Sequence, residues 1–327
     1  MIKRYSTKNL SESQWQELRS MFVREGMIGG SDASTILGIN KYKSSINLYY
    51  QAIEEATLPN KMNAAMMHGK QLEKYVADCW QYYDGTEDGW IENTLNNNKI
   101  KKYSKINAIL VNDKYPFLFA NVDAKITMHP YYGKKPGILE VKTISGYSAD
   151  SYEGGIPPGY LFQLQHYLLV TGYTWGEIVY LKDGRELGCL TFEADKDLQD
   201  MILKAASDHH TRVKQAREMS STAKSEADKQ MYIQGFEPMA DSTMAFNHFI
   251  SERHKARENE VVMQGNDSHH QLAVDYVAIS KEVTSKSDQK QLLQNRLKQI
   301  MEANGASVMM LPEGGKITWR KQFNVKV

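Results

Sequence analysis

The stretch Gly137-Ile-Leu-Glu-Val-Lys-Thr143 decides the fold and the chemistry that this sequence predicts. Successive side chains of a strand point to opposite faces, so Glu140 and Lys142 share one face and the intervening Val141 takes the other. Such a pair suits phosphodiester hydrolysis, because the carboxylate can hold Mg²⁺ and the ammonium can orient water or neutralise charge on a phosphate. The alternative is an ion pair on an exposed strand, and the triplet alone favours that alternative.

Asp123 shifts this balance toward a metal site. It precedes Glu140 by seventeen residues, and Pro130-Tyr-Tyr-Gly133 is a plausible turn midway between them. A hairpin centred on Tyr131-Tyr132 would place Asp123 opposite Glu140, where the two carboxylates can share a metal ion. Aspartate is disfavoured inside strands, so its position between Val122 and Ala124 favours a functional role over a strand-edge residue.

Glu73 is the third candidate carboxylate. It lies on a helix predicted over roughly 62–83, whose apolar residues recur on one stripe: Leu72, Val76, Cys79, Trp80 and Tyr83. Glu73 borders this stripe through Leu72, so it can point toward the sheet. A solvated glutamate between Lys70 and Lys74 is the alternative.

Gln163 and Tyr167 lie at i and i+4 on a helix predicted from Pro157-Pro158-Gly159 to about Thr171. Aligned in this way, an amide and a hydroxyl can hydrogen-bond a water molecule at the metal or a DNA phosphate. The alternative is an amphipathic helix whose polar residues face solvent.

The rest of the chain alternates between helical and extended patterns. Further helices are predicted over 9–25, 33–37, 44–55 and from about 195, and strands at 106–111, 117–126, 137–144, 177–182 and 186–192, with a loop at 84–98. We divide the chain into a core at 1–217, a polar linker or excursion at 218–267, and a C-terminal module of a helix and a β-hairpin at 268–327.

Composition sets the class of protein. The 327 residues are 41% hydrophobic and 24% charged with a net charge of +1, which is ordinary for a soluble globular chain and allows a locally basic groove. No apolar run suits a membrane span or a secretory signal, which favours the cytoplasm. The two cysteines cannot supply a four-cysteine metal site. Four lysines at 99, 101, 102 and 105 can line a DNA groove or form a solvated face.

Six short motifs, in this order, resemble the YqaJ-type viral recombinase family. This family is lambda-exonuclease-like and belongs to the RecB-like branch of the PD-(D/E)XK nuclease superfamily. The resemblance covers about residues 20–182, and the superfamily's usual Pro-Asp reads Val122-Asp123 here. The motifs are Ile28-Gly-Gly-Ser-Asp32, Gly69-Lys-Gln-Leu-Glu73, Phe119-Ala-Asn-Val-Asp123, Gly137-Ile-Leu-Glu-Val-Lys142, Ile156-Pro-Pro-Gly-Tyr160 and Gln163-Leu-Gln-His166.

The resemblance implies an α/β (α+β) restriction-endonuclease-like core, with a central mixed sheet flanked by helices. It also implies site roles. One or two Mg²⁺ ions, which Mn²⁺ can replace, would be held by Glu73, Asp123, Glu140 and the Val141 carbonyl. Lys142 would assist the attacking water and Gln163 would support it. Arg24 and Ser31 would bind a 5′-terminal phosphate, and Gln165 and Tyr167 would contact DNA.

The implied function is a 5′→3′ exonuclease on linear double-stranded DNA, which leaves 3′ single strands for a phage annealing protein in the bacterial cytoplasm. The implied assembly is a homo-oligomer, by analogy a trimer. Two alternatives stay open: an endonuclease or repair nuclease of other polarity on the same fold, and a non-catalytic DNA-binding recombination module.

Overall fold

The strand that carries Glu140 forms the middle of a five-stranded sheet in a computed structural model of the chain. The structure describes residues 1–53, 63–146, 156–255, 262–312, 315–319 and 323–326. It divides into two units, Met1–Arg257 and Glu258–Val327, which are treated separately below.

The strands of the first unit form two sheets. In chain order they are β1 (Ile2–Ser6), β2 (Ile28–Gly29), β3 (Lys102–Lys105), β4 (Ala108–Asn112), β5 (Leu118–Ala120), β6 (Ala124–Met128), β7 (Gly137–Ile144), β8 (Trp175–Lys182) and β9 (Glu186–Glu193). The larger sheet has the order β3-β6-β7-β8-β9, and β7 and β8 run parallel while its other pairs are antiparallel. The predicted mixed sheet is therefore confirmed.

The helices of the first unit flank these sheets. They are α1 (Glu12–Arg24), α2 (Ala33–Ile36), α3 (Ser45–Ile53), α4 (Ala64–Trp80), α5 (Glu87–Leu95), α6 (Pro158–Thr171), α7 (Lys196–Ser221), α8 (Glu226–Gly235) and α9 (Met244–Lys255). Helix α5 lies where the sequence predicts a loop, because Thr86 caps its first turn by accepting a hydrogen bond from the Gly89 N–H.

Two apolar layers enclose the larger sheet. On one face, Ile138 and Ile178 pack in the same cluster as Leu164 of α6. On the other face, Leu139 and Val141 pack with the Trp80 side of α4. The alternation of β7 thus directs its apolar residues to both helices, which is what a strand buried on both faces requires.

The predicted single strand at 117–126 is in fact two strands in different sheets. β5 belongs to a four-stranded sheet of order β1-β4-β5-β2, whereas β6 belongs to the larger sheet. The chain passes from one to the other at residues 121–123, so Asp123 occupies a bend just before β6 and not a strand interior.

Residues 218–267, predicted as a linker or excursion, contain α8 and α9, which lie within the first unit. Ile233 of α8 packs with Tyr49 and Tyr50 of α3, and the Tyr49 hydroxyl donates to the Ile233 carbonyl at 2.6 Å. Apolar residues are sparse here and separated in sequence, which explains the weak periodicity. Residues 256–261 lie outside the described residues.

The second unit contains one long helix, α10 (Asp267–Ala303), and a small sheet. The predicted hairpin corresponds to β10 (Val308–Met310) and β11 (Lys316–Trp319), and a third strand, β12 (Phe323–Lys326), pairs with β11. Residues 313–314, between β10 and β11, lie outside the described residues. No described helix of either unit is long and apolar enough to cross a membrane.

His166 on α6 provides a test of this packing. Its side chain is fully buried, its Nε2 lies 2.9 Å from the Phe119 carbonyl oxygen, and burial lowers its pKa to about 4. An exposed histidine has a pKa of about 6.5, so the unfolded chain binds the proton more tightly. The contribution of His166 to the free energy of unfolding is therefore fully present above about pH 6.5, and it decreases as the pH falls toward 4.

We predict that the melting temperature falls between pH 6.5 and 4, and that His166→Gln shows a smaller fall than the wild type. The glutamine amide can still donate to Phe119 but takes up no proton. Burial also lowers the pKa of His209 to about 4. Since His209 is present in both proteins, it contributes equally to the change of melting temperature with pH in each. Thermal melting followed by circular dichroism measures the effect, up to about 3 kcal/mol in unfolding free energy. Equal slopes in the two proteins would contradict the prediction.

Candidate active site

Glu140 is the buried centre of the candidate site. It lies in the middle of β7 with 1% of its surface exposed, on the strand face that meets α6. Its Oε1 is 2.6 Å from the Lys142 Nζ and accepts a hydrogen bond from the Gln163 Nε2 at 2.7 Å. Its Oε2 is buried and has no hydrogen-bond donor among the described residues. Burial raises the pKa of Glu140 above its usual value, although Lys142 opposes the shift.

Asp123 lies beside Glu140, as the sequence predicts. β6 pairs with β7 through Ala124↔Leu139 and Lys125↔Ile138, and the same register continued by one residue sets Asp123 opposite Glu140. The Val141 N–H donates to Asp123 Oδ2 at 2.9 Å. Burial, followed by the charge of Glu140, raises the pKa of Asp123 well above its ordinary range. Two neighbouring carboxylates with raised pKa values are stabilised by any cation placed between them.

Lys142 partly supplies that positive charge. Its ammonium donates to Gln163 Oε1 at 3.0 Å and lies 4.8 Å from the centre of the Tyr160 ring. Burial lowers the pKa of Lys142, but the carboxylates of Glu140 and Asp123 outweigh burial, so the pKa is raised and the side chain stays charged. Glu140, Lys142 and Gln163 therefore form a closed triangle of contacts.

Glu73 approaches this cluster from the other side of the sheet. It lies on α4 with 32% of its side chain exposed, and its charge contributes to the raised pKa values of Asp123 and Glu140. Its Oε1 is 3.2 Å from the Nζ of Lys105, so it is held by a lysine that the sequence analysis did not assign to the site. Within the described residues, no three His, Cys, Asp or Glu side chains form a ready-made metal centre.

Tyr167 is inside the protein and is not a DNA-facing residue, contrary to its predicted role. Its hydroxyl accepts a hydrogen bond from the Gln163 Nε2 at 3.0 Å, which confirms the expected alignment of the two residues. Its ring packs under the glycine turn so closely that a Cβ on Gly30 would lie 2.2 Å from its Cε1. Because Gly30 has no side chain, the Tyr167 ring has room to pack there, and its hydroxyl can position the Gln163 amide.

Gln165 is also misassigned to DNA. It is 1% exposed, its Nε2 donates to the Glu193 carbonyl at 2.7 Å, and its Oε1 accepts from the Asp195 N–H at 2.9 Å. Both ends of the amide thus hold the backbone between β9 and α7. Residues 163 and 165 lie about 200° apart around a helix, so they cannot face one site together.

The predicted phosphate pair, Arg24 and Ser31, is not joined by a contact. Arg24 Nη1 lies 3.0 Å from the Oε1 of Glu17, which is about two turns earlier in α1. Ser31 is exposed in a short 3-10 turn. The turn's buried charge is instead Asp32, whose carboxylate binds Arg19 at 3.0 Å and Lys43 at 3.1 Å. Sequence pattern does not predict these pairs, because they depend on how α1 and the segment before α3 pack around the turn.

The lysines at 99–105 do not share one surface. Lys101 is buried, with its Nζ 3.4 Å from Glu177 Oε2 and 5.1 Å from the centre of the Trp80 ring. Glu177 also accepts from Trp80 Nε1 at 2.6 Å and lies 3.3 Å from His129 Nε2. Burial raises the pKa of Glu177, but His129, Lys101 and Trp80 together lower it to about 2. This cluster joins α4 to the sheet on the face away from α6, so it has a structural role.

These residues lie in a segment that is similar to a known protein family. Residues 14–174 match the model of the YqaJ-like viral recombinase domain. The "uncharacterized protein YqaJ" of Bacillus subtilis strain 168 is 28% identical over 296 residues, which are 90% of this chain and 79% of that protein.

Two solved structures are also similar in part. The alkaline exonuclease LHK-Exo of Laribacter hongkongensis is 18% identical, with a TM-score of 0.46, over 63% of this chain and 100% of that chain. A phage related exonuclease of Haemophilus somnus 129PT is 15% identical, with a TM-score of 0.34, over 59% of this chain and 96% of that chain. Residues 14–174, the segment that matches the YqaJ-like viral recombinase domain, contain Glu73, Asp123, Glu140, Lys142 and Gln163.

Proposed function

We propose that this chain is a divalent-metal-dependent nuclease, specifically a 5′→3′ exonuclease on linear double-stranded DNA. The observation that carries the proposal is the convergence of Asp123 and Glu140 at the buried end of a β-hairpin, with Lys142 at 2.6 Å from Glu140. The resemblance implies recombination by annealing of 3′ single strands, which resection of the 5′ strand from a DNA end would supply.

The donor set fits a hard divalent cation such as Mg²⁺, or Mn²⁺ in its place. The Glu140 Oε2 is buried without a donor, and Asp123 faces it across the hairpin. Both groups are oxygen ligands of the kind that Mg²⁺ prefers. Glu73 would complete the set by exchanging Lys105 for the ion, and the Val141 backbone lies beside Asp123. When bound, one or two ions would polarise a phosphoryl oxygen and favour a nucleophilic water.

The protein's own residues supply the remaining functions. Lys142 is charged and fixed by Glu140 and Gln163, so it can neutralise charge that develops on the scissile phosphate. Gln163 holds both the ammonium and the carboxylate, and Tyr167 fixes the Gln163 amide. Reactive groups that are oriented before the substrate binds need little rearrangement in the transition state.

We predict that Asp123→Ala and Glu140→Ala each abolish Mg²⁺-dependent cleavage while the protein stays folded. Removing one of two mutually repelling carboxylates relieves a repulsion, so the core should persist. Lys142→Ala should lower turnover about a hundredfold or more with DNA affinity nearly unchanged, since one ammonium adds little to a many-phosphate interface. End-labelled linear DNA measures cleavage, and circular dichroism measures folding.

Glu186→Ala is the matched control, because Glu186 is an exposed carboxylate at the far end of the β8–β9 hairpin, 3.8 Å from Lys182. Its cleavage rate should equal that of the wild type. Wild-type rates in Asp123→Ala or Glu140→Ala would exclude the site. A covalently closed circle included in the assay separates the alternatives: an exonuclease spares it, an endonuclease cuts it, and a non-catalytic module leaves both DNAs intact.

The 5′-phosphate pocket is a separate part of the proposal. Arg24 suits a terminal phosphate because its planar guanidinium can bind two oxygens, but Glu17 currently pairs with it. Ser31 is exposed at the glycine turn and would complete the pocket. A phosphate would therefore have to compete with Glu17 for Arg24.

We predict that Arg24→Ala slows digestion of 5′-phosphorylated ends about ten- to hundredfold and hardly changes 5′-hydroxyl ends. Glu17→Ala should have the opposite effect, with a stronger preference for the phosphorylated end, because it frees Arg24. Initial rates on duplexes that differ only at the 5′ terminus measure both. Equal slowing of the two ends by Arg24→Ala would show that Arg24 does not recognise the terminal phosphate.

The assembly and the partner are proposed on the resemblance alone. A homo-oligomer, by analogy a trimer, would keep the enzyme on its DNA end, and a phage single-strand annealing protein would receive the 3′ strand.

A further inference from the structure

A cleft of about 310 Å³ lies between the two sheets of the first unit. β1 and β4 of the smaller sheet contribute Arg4 and Leu110, and β3 and β6 of the larger sheet contribute Lys105 and Lys125. Among its described lining residues, Arg4, Lys105 and Lys125 are cationic and none is acidic. Lys105 lies opposite Ala124 and its ammonium pairs with Glu73 of α4, so Arg4 and Lys125 are the two cations that the cleft offers to an anion.

The cleft adjoins the candidate active site through two of these residues. Lys105 pairs with Ala124 in the β3–β6 register, and its Nζ lies 3.2 Å from Glu73. Lys125 lies opposite Ile138 in the β6–β7 register, so its side chain leaves the sheet on the same face as that of Glu140. An anion in the cleft would thus lie next to the carboxylate cluster.

The charge of the cleft is only partly balanced within the protein. Lys105 is paired with Glu73, whereas Arg4 and Lys125 have no acidic partner in the described part of the chain. Cations that line a common cleft repel one another, and a bound anion offsets this electrostatic repulsion. A guanidinium with an ammonium beside it is a combination that binds phosphate groups.

We propose that this cleft binds a backbone phosphate of the DNA strand whose neighbouring phosphate reaches Glu140 and Lys142. The inference rests on the proposed function, since a nucleic acid is the substrate that carries phosphates at successive positions. Arg4 lies on β1, outside residues 14–174 that match the family model, so the N-terminal strand would extend the binding surface beyond that domain.

Arg4→Ala and Lys125→Ala test the cleft, with Lys3→Ala as the matched control. Lys3 is on the same strand as Arg4 and carries the same charge, but it pairs with Asp113 at 3.0 Å. Anisotropy of a labelled linear duplex, measured with EDTA at several salt concentrations, reports binding without cleavage. Thermal melting of each variant checks folding.

Each cleft variant should bind DNA about three- to tenfold more weakly than the wild type. The slope of log affinity against log salt should fall by about 0.9 for each lost phosphate contact. Lys3→Ala should match the wild type. If Arg4→Ala and Lys125→Ala fold and bind as Lys3→Ala does, the cleft does not contact DNA.

Inorganic phosphate, titrated in the absence of DNA, distinguishes a strand from a free anion. If the wild type binds phosphate through the cleft while Arg4→Ala and Lys125→Ala bind DNA as Lys3→Ala does, the cleft serves a free anion and the inference is wrong. The proposed nuclease function has its own contradicting result. If the wild type binds DNA through the cleft without cutting it, the nuclease function is contradicted and the cleft proposal stands. A wild type that cuts while the cleft variants behave as Lys3→Ala contradicts the cleft alone.

Discussion

The close approach of the buried Glu140 and the half-buried Asp123 across a hairpin governs the rest of this structure. Asp123 and Glu140 are brought together by the β6–β7 register, and burial raises the pKa of each. Such a pair persists only where surrounding groups oppose the repulsion, and Lys142 and Gln163 do so on one side. Among the described residues, the Oε2 of Glu140 accepts no hydrogen bond from an N–H group and shares the site with the Asp123 carboxyl, which is the strongest local reason to expect a cation.

Helix α6 transmits this constraint to the rest of the first unit. Gln163 reaches the carboxylates, Tyr167 supports Gln163, and Gly30 leaves the space that the Tyr167 ring occupies. On the far side of the helix, Gln165 fixes the backbone that leads into α7. The site is thus held by a buried helix and a central strand, and not by loops, which suits groups that must be oriented before the substrate binds.

Local pattern predicted what depends on neighbours in sequence. Alternation along β7 gave the shared face of Glu140 and Lys142, and a turn midway between Asp123 and Glu140 gave the correct register. The pattern could not reveal that residues 117–126 divide between two sheets, since the sheet that each half joins depends on strands distant in sequence. It also could not separate Gln163 from Gln165, because which polar residue of a buried helix faces a site depends on elements distant in sequence. Lys105 was missed as a partner of Glu73 for the same reason.

The central claim is that a divalent ion binds between these two carboxylates. The anomalous scattering of Mn²⁺ in a crystal of the protein tests this claim directly. The account predicts a peak within about 2.2 Å of oxygens from both Asp123 and Glu140, with Glu73 turned from Lys105 toward the ion. A wild-type crystal with Mn²⁺ bound elsewhere, or with no peak at Asp123 and Glu140 under conditions that support cleavage in solution, would contradict it.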